Sequence, residues 1–157
     1  MKHTMQVLVE NKFGVLARIA SLFSARGYNI DSLAVAETQD PTISCMTIVV
    51  NAEDERILEQ IKKQLNKLID IVTVVDLTKK EHIDRELLLI KINYNPENKE
   101  KLLKIRKDFE ISVLEEKQDY IIIEFIADHH KIKTILDELR SLGIRELIRT
   151  GKIAITK

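Results

Sequence analysis

Strand-like and helix-like segments follow one another in the order strand, helix, strand, strand, helix, strand, and the chain of 157 residues carries this order twice. Alternating apolar residues indicate the strands, and apolar residues recurring every three to four positions indicate the helices. In the first half the predicted strands cover residues 4–10, 30–37, 43–51 and 71–78. In the second half they cover residues 86–93, 111–115, 120–127, 144–148 and 152–156. Each series can close into an antiparallel sheet with both helices on one face. The sequence therefore predicts an α+β protein of two tandem ferredoxin-like βαββαβ domains.

A charged connector, residues 79–84, separates the two halves. We therefore place the first domain at residues 1–78, the linker at 79–84 and the second domain at 85–157. The repeat is one of plan only, because the Asn-x-x-Gly turn at 11–14 is replaced by Asn95-Pro96-Glu97-Asn98 in the second half. The sheet of such a domain has one open face, and we expect another domain or subunit to cover it.

Two further segments of the first half have clear helical signals. The helix after the turn at 11–14 has apolar residues spaced for one face, namely Leu16, Ile19, Ala20 and Phe23. Gly27 follows it, where a left-handed cap is required. A second amphipathic helix is predicted over residues 52–68, with acidic residues in its first turn, where the helix dipole favours them.

The turn that opens the first helix is the candidate binding site of this chain. The N–H groups near Gly14, Val15 and Leu16 are expected to be free, and free N–H groups at a helix start attract an anion. Asn11 and Asn29 bracket the helix with amide side chains. Turn chemistry explains the same residues separately: Asn11 caps a turn, Gly14 supplies an unusual backbone angle, and Asn29 pairs with a carbonyl at a strand edge. The residues alone leave both interpretations open.

Composition argues against several classes of function. The formal net charge is +0, aromatic residues make up 4% and Trp is absent, so we expect no nucleic-acid partner. No apolar stretch approaches the ~20 residues of a membrane span, so we expect no membrane partner. The single cysteine, Cys45, and an N-terminus without a signal-peptide pattern lead us to expect a cytoplasmic protein.

No set of residues suited to catalysis is visible. The chain lacks a nucleophile motif, a Gly-rich phosphate loop and a Cys-x-x-Cys pair. His129 and His130 are adjacent and so cannot share one helix face as metal ligands do at i, i+4. We expect no catalytic residue, no metal site and no cofactor bound by this chain.

Five segments of the chain resemble one family closely. They are residues 11–18, 23–33, 40–50, 58–70 and 149–154, and the resemblance is dense over residues 5–95. The family is that of the small, regulatory subunits of acetolactate synthase (acetohydroxyacid synthase). Cys45 departs from the pattern, since the family commonly has Arg there, and residues 124–129 lack the usual Thr-Gly turn. These departures affect the second domain more than the candidate site.

The resemblance implies that the first domain is an ACT domain, the version of this fold that senses small molecules. It implies a regulatory subunit, not an enzyme, that activates a catalytic subunit and confers feedback inhibition by a branched-chain amino acid, usually valine, in valine, leucine and isoleucine biosynthesis. Thiamine diphosphate, Mg²⁺ and FAD are expected in the catalytic partner.

The resemblance also implies how the site is assembled. The family pairs two ACT domains into a homodimer, with the amino acid at their interface. One subunit would supply the turn from Asn11 through Gly14 and Val15 to Leu16, and the other would supply Asn29 and Ile30. Helix-start N–H groups suit the ligand carboxylate, and apolar surface at Leu16 and Ile30 suits a branched side chain.

Two other classes of protein share features of this sequence. A stand-alone tandem ACT sensor that regulates another enzyme or transcription is the main alternative. An RNA-binding domain of the same fold needs aromatic and basic residues on its exposed strands, and the strands at 4–10 and 43–51 have no aromatic residue.

Overall fold

The computed structural model describes residues 2–157, which form two compact units. The first unit comprises the chain up to Ile83 together with Lys152–Lys157, and the second comprises Asp84–Gly151. Each unit has one antiparallel sheet and two helices, so the predicted fold class, two tandem βαββαβ units, is confirmed. None of the helices in the described part of the chain is long and apolar enough to cross a membrane.

The first unit follows the predicted order of elements. They are β1 (Lys2–Glu10), α1 (Val15–Ser24), β2 (Ile30–Glu37), β3 (Ile43–Asn51), α2 (Glu55–Leu65) and β4 (Ile71–Asp76). The strands are ordered β2-β3-β1-β4 across the sheet. Alternate residues of β1 and β3 point toward the helices and form the core with them, including Met5, Val7, Ile48, Ile19, Phe23 and Ile61.

The second unit repeats this topology. Its elements are β5 (His82–Asn93), α3 (Pro96–Asp108), β6 (Ile111–Glu116), β7 (Tyr120–Ala127), α4 (His129–Arg140) and β8 (Ile144–Arg149), followed along the chain by β9 (Ile153–Thr156). The order β6-β7-β5-β8 corresponds strand for strand to that of the first sheet, and β9 pairs with β5. Its core contains Leu88, Ile90, Ile123, Phe125, Ile132 and Ile135.

The last residues of the chain lie on the first unit, against the sheet face that the helices leave open. The Gln6 side chain donates to the Ala154 carbonyl at 3.2 Å, and the Lys152 N–H donates to the Ser32 hydroxyl at 3.1 Å. Gln6 and Ser32 lie on the sheet face opposite the core, because their strand neighbours Met5 and Leu33 face the helices. Residues 152–157, counted with the second half in the sequence plan, thus cover part of the open face of the first sheet.

The largest differences from the predicted element boundaries are at α2 and at the start of β5. α2 covers Glu55–Leu65 instead of residues 52–68. Its start is set by Asp54, whose carboxylate accepts the N–H groups of Arg56 at 2.6 Å and Ile57 at 3.1 Å, a capping geometry. The second difference is that β5 already begins at His82, inside the predicted linker.

Candidate functional site

The first helix begins at a glycine, and no side chain caps it. Gly14 is the N-cap residue of α1, with φ 82° and ψ −6°, in the left-handed region that residues with a Cβ rarely adopt. The Arg18 N–H donates to the Gly14 carbonyl at 3.0 Å, which is the first hydrogen bond along the helix. The N–H of Leu16 therefore has no acceptor within α1. The expectation that the Val15 N–H is free is wrong, because this N–H donates to the Lys12 carbonyl at 3.4 Å, which is a long hydrogen bond.

Asn11 fixes the turn to its neighbouring loop. Its backbone N–H donates to the Thr42 carbonyl at 2.7 Å, and its side-chain amide donates to the Pro41 carbonyl at 2.9 Å. Both acceptors belong to the loop between β2 and β3. Asn11 thus has the structural role that turn chemistry predicts, while its amide oxygen and second side-chain N–H have no hydrogen-bond partner among residues 2–157.

Asn29 and Ile30 lie elsewhere in the chain. The Asn29 side chain is exposed and donates to the Asp31 carboxylate at 2.7 Å. Ile30, half-buried at the start of β2, packs against the core of the first unit. Among the described residues, the Asn29 side chain makes no hydrogen bond to a strand-edge carbonyl. The interpretation of Asn29 as the partner of such a carbonyl therefore has no support.

Strand register shows that the turn at 11–16 and the pair Asn29 and Ile30 lie at opposite ends of the sheet. At one end Glu10 pairs with Ile43, and at the other His3 pairs with Val50, which also pairs with Ile30. Seven residues of β1 separate these ends, which is roughly 24 Å at about 3.4 Å per residue. Within one chain the structure brings Asn11, Gly14, Val15 and Leu16 together and leaves Asn29 and Ile30 far from them.

The side chains of the turn differ in what they offer a ligand. Val15 is only 3% exposed and belongs to the core, so a ligand cannot reach its side chain. Leu16 is 43% exposed on the next position of the helix. Leu16 and the fully exposed Phe13 are therefore the apolar side chains near the helix start that a small ligand can reach from outside.

Arg18 is a candidate site residue that the sequence analysis missed. A Cβ built on Gly14 would lie 3.1 Å from Arg18 Nη1, so the guanidinium stands beside the open helix start. Its Nε donates to the nearly buried carboxylate of Asp70 at 2.8 Å, which holds the side chain in place. The sequence signal that could have identified Arg18 is its position four residues after Gly14, because residues four apart in a helix lie on one face.

The remaining chemistry of the chain is sparse. Among residues 2–157 no three His, Cys, Asp or Glu side chains form a group that could hold a metal ion. The half-buried Cys45 faces the side of the first sheet opposite the core, and burial raises the pKa of its thiol. A raised pKa leaves less of the nucleophilic thiolate at neutral pH.

Comparisons with known proteins agree for both halves of the chain. Residues 5–73 match the family model of the AHAS small subunit-like ACT domain, and residues 85–157 match that of the small subunit of acetolactate synthase. The probable acetolactate synthase small subunit of Archaeoglobus fulgidus is 44% identical over 157 residues, covering 100% of this chain and 98% of that protein. The acetolactate synthase small subunit of Aquifex aeolicus is 43% identical, covering 99% of this chain and 81% of that protein.

A solved structure is similar over the whole length. The crystal structure of the acetolactate synthase small subunit from Thermotoga maritima superimposes with a TM-score of 0.88 at 31% sequence identity. The alignment covers 100% of this chain and 98% of that one. Family models, relatives and a solved structure thus all carry the same name.

Proposed function

Because this chain belongs to the family of acetolactate synthase small subunits, which are regulatory ACT-domain proteins, we propose that it activates the catalytic subunit and confers feedback inhibition by valine. Family membership implies a catalytic partner subunit. The chain itself performs no chemistry in this proposal. The condensation of pyruvate with a second 2-oxoacid takes place in the partner, which holds thiamine diphosphate, Mg²⁺ and FAD.

The observation that carries the proposal is the open start of α1 beside a cation. The Leu16 N–H points out of a helix start without a capping side chain, where the helix dipole favours a negative charge. Arg18 lies next to the same point. An amino-acid carboxylate would accept from these donors, and the hydrogen bonds would be charge-assisted.

The separation of the two residue groups supports a site built from two chains. β2 is an edge strand, with β3 as its one neighbour within the described residues. If two copies pair through β2 about a two-fold axis at the middle of that strand, the strands run antiparallel, and residue 30 of one copy lies beside residue 37 of the other. Glu37 is at the same end of the sheet as Glu10, so Asn29 of the second copy would approach the turn of the first.

Valine fits the residues that such a pairing assembles. The amide of Asn29 has both a donor and an acceptor, so it can bind either charged end of a zwitterion. Leu16 and Ile30 supply apolar surface of the size of a branched aliphatic side chain. A charged side chain would find no partner at Leu16 and Ile30.

Reconstitution with the catalytic subunit tests this function. The isolated chain is expected to form no acetolactate from pyruvate in the presence of thiamine diphosphate and Mg²⁺. Addition of the chain to the catalytic subunit is expected to raise the rate, and valine is expected to lower it again. A mixture no faster than the catalytic subunit alone would exclude the activator role. An enhanced rate that is insensitive to valine, leucine and isoleucine would exclude the feedback role only.

A further inference from the structure

A groove lined by apolar and basic side chains runs between α1 and the C-terminal end of α2 in the first unit. Its volume is ≈ 620 Å³, and it is open to solvent along its length. Ala17 and Leu68 are among the apolar side chains that line it, and Arg26 and Lys67 are among the basic ones. Gly14 lies at one end, so the groove is continuous with the open helix start.

Arg18 is paired with Asp70, but the other two cations of the groove, Arg26 and Lys67, have no carboxylate partner among the described residues. Arg26 donates to two neutral acceptors, the Gln64 side chain at 2.9 Å and the Leu22 carbonyl at 3.3 Å. The exposed Lys67 makes no ion pair among the described residues. No aspartate or glutamate lines the groove in the described part of the chain. In a protein whose formal net charge is +0, this is a local excess of positive charge.

Two fully exposed apolar side chains stand on the loops beside the groove. Phe13 is 103% exposed and Ile69 is 94% exposed. Their loops are neighbours, because the Glu10 N–H donates to the Asp70 carbonyl at 2.9 Å. Single exposed apolar residues are common, but two large ones on adjacent loops next to a charged groove are typical of a protein contact surface.

We infer that this groove, with Phe13 and Ile69 at its edge, binds a segment of the acetolactate synthase catalytic subunit that combines apolar side chains with aspartate or glutamate. The inference rests on the proposed function and adds the surface and the chemistry of the partner. Charge complementarity selects an acidic partner, since carboxylates would find Arg26 and Lys67 without a competing acid. The open form of the groove suits a protein segment, because a small metabolite would remain largely in water there.

The position of the groove also connects partner and effector. Gly14 belongs to both the groove and the effector turn, and Arg18, which lines the groove, stands beside the same helix start. A ligand that rearranges the turn would therefore alter one end of the surface that holds the catalytic subunit.

The test is the concentration of small subunit needed for half-maximal activation of the catalytic subunit. The double variant Arg26→Glu/Lys67→Glu is expected to raise it by about tenfold or more at low salt, with a smaller salt dependence than the wild-type chain. Ile69→Ser is expected to raise it several-fold, and its side chain is too exposed to affect folding. The matched control is Arg56→Glu/Lys63→Glu, which makes the same charge change on exposed residues of α2 outside the groove.

Valine binding to the isolated variants, measured by calorimetry, shows that they are folded and is expected to match the wild-type chain. The inference would be overturned if both groove variants reached half-maximal activation at the wild-type concentration. It would also be overturned if the control variant raised this concentration as much as the groove variants do. If the wild-type chain neither binds nor activates the catalytic subunit, the proposed function fails as well, and this is visible before any variant is made.

Discussion

The first helices of the two units begin in opposite ways. α1 begins at Gly14 without a capping side chain, whereas the side chain of Asn95 accepts the Asn98 N–H at 2.8 Å at the start of α3. Pro96 then occupies the first helical position and has no N–H to satisfy, and Glu97 places a carboxylate in the first turn. The second unit thus caps the start of its first helix with its own side chains, whereas the first unit leaves the start of α1 uncapped.

The surrounding frame is nevertheless the same. The Asn11 N–H donates to the Thr42 carbonyl at 2.7 Å, and the Tyr94 N–H donates to the Asp119 carbonyl at 3.0 Å, so both turns are tied to the loop between the two strands that follow the helix. The fold requires this tie in both units. It does not require an open helix start, and the unit that has one is therefore the unit suited to an external carboxylate.

The largest effect on valine inhibition is expected when a side chain occupies the open start of α1. Gly14→Asp is predicted to raise the valine concentration for half-inhibition more than about 100-fold, because a carboxylate at this position would pair with Arg18 and repel that of the ligand. Valine titration of the reconstituted enzyme measures it. Gly27→Ala is the control for backbone strain, since Gly27 has φ 69° and open space around a Cβ, and it should keep valine sensitivity. Unchanged inhibition in Gly14→Asp would remove the turn from the site.

A smaller effect is expected from the other side of the split site. Asn29→His replaces an amide with a larger ring and leaves ligand charge unpaired, at about 1–3 kcal/mol. This corresponds to roughly ten- to a hundred-fold weaker inhibition by valine.

Mixed dimers of Asn29→His and Gly14→Asp chains give the sharper measurement. If each site combines a turn from one chain with Asn29 from the other, one site of a mixed dimer carries both changes and the other carries none. In enzyme reconstituted with coexpressed chains, part of the acetolactate synthase activity should then be inhibited by valine at the wild-type concentration. No recovery, in a sample that light scattering shows to be dimeric, would contradict the shared site.

The smallest effect is expected where the helix start is already closed. Asn95→Ala removes the cap of α3 and is predicted to cost about 1 kcal/mol of stability, with valine inhibition unchanged. Thermal unfolding measures the loss, and Asn95→Asp, which keeps an acceptor oxygen, should restore most of it. A changed response to valine in Asn95→Ala would show that the second unit takes part in effector binding.

Periodicity and turn residues were sufficient to predict the fold. The spacing of apolar residues in the strands and helices indicates the βαββαβ order in both halves, and Gly27 marks the end of the first helix. The start of α2 was placed three residues early, because Asn51 and Asp54 are both acceptable N-cap residues and only the backbone geometry at Asp54 distinguishes them.

The candidate site was less accessible to sequence reasoning. The open turn follows from Gly14 and the helix after it, but the place of Arg18 depends on Asp70, which is 52 positions away in the sequence. The separation of Asn29 from the turn follows from the register of three strands. Long-range pairings of this kind have no local signal, which is why the residues alone left the ligand and turn interpretations open.

The return of residues 152–157 to the first unit has a consequence for biosynthesis. Gln6 and Ser32 leave the ribosome early, yet their partners Ala154 and Lys152 follow only after the whole of the second unit. The first unit therefore waits, with part of its open sheet face uncovered, until the intervening residues have been translated. During that interval the face is accessible to chaperones and to other nascent chains. The first unit is thus synthesised first but completed last.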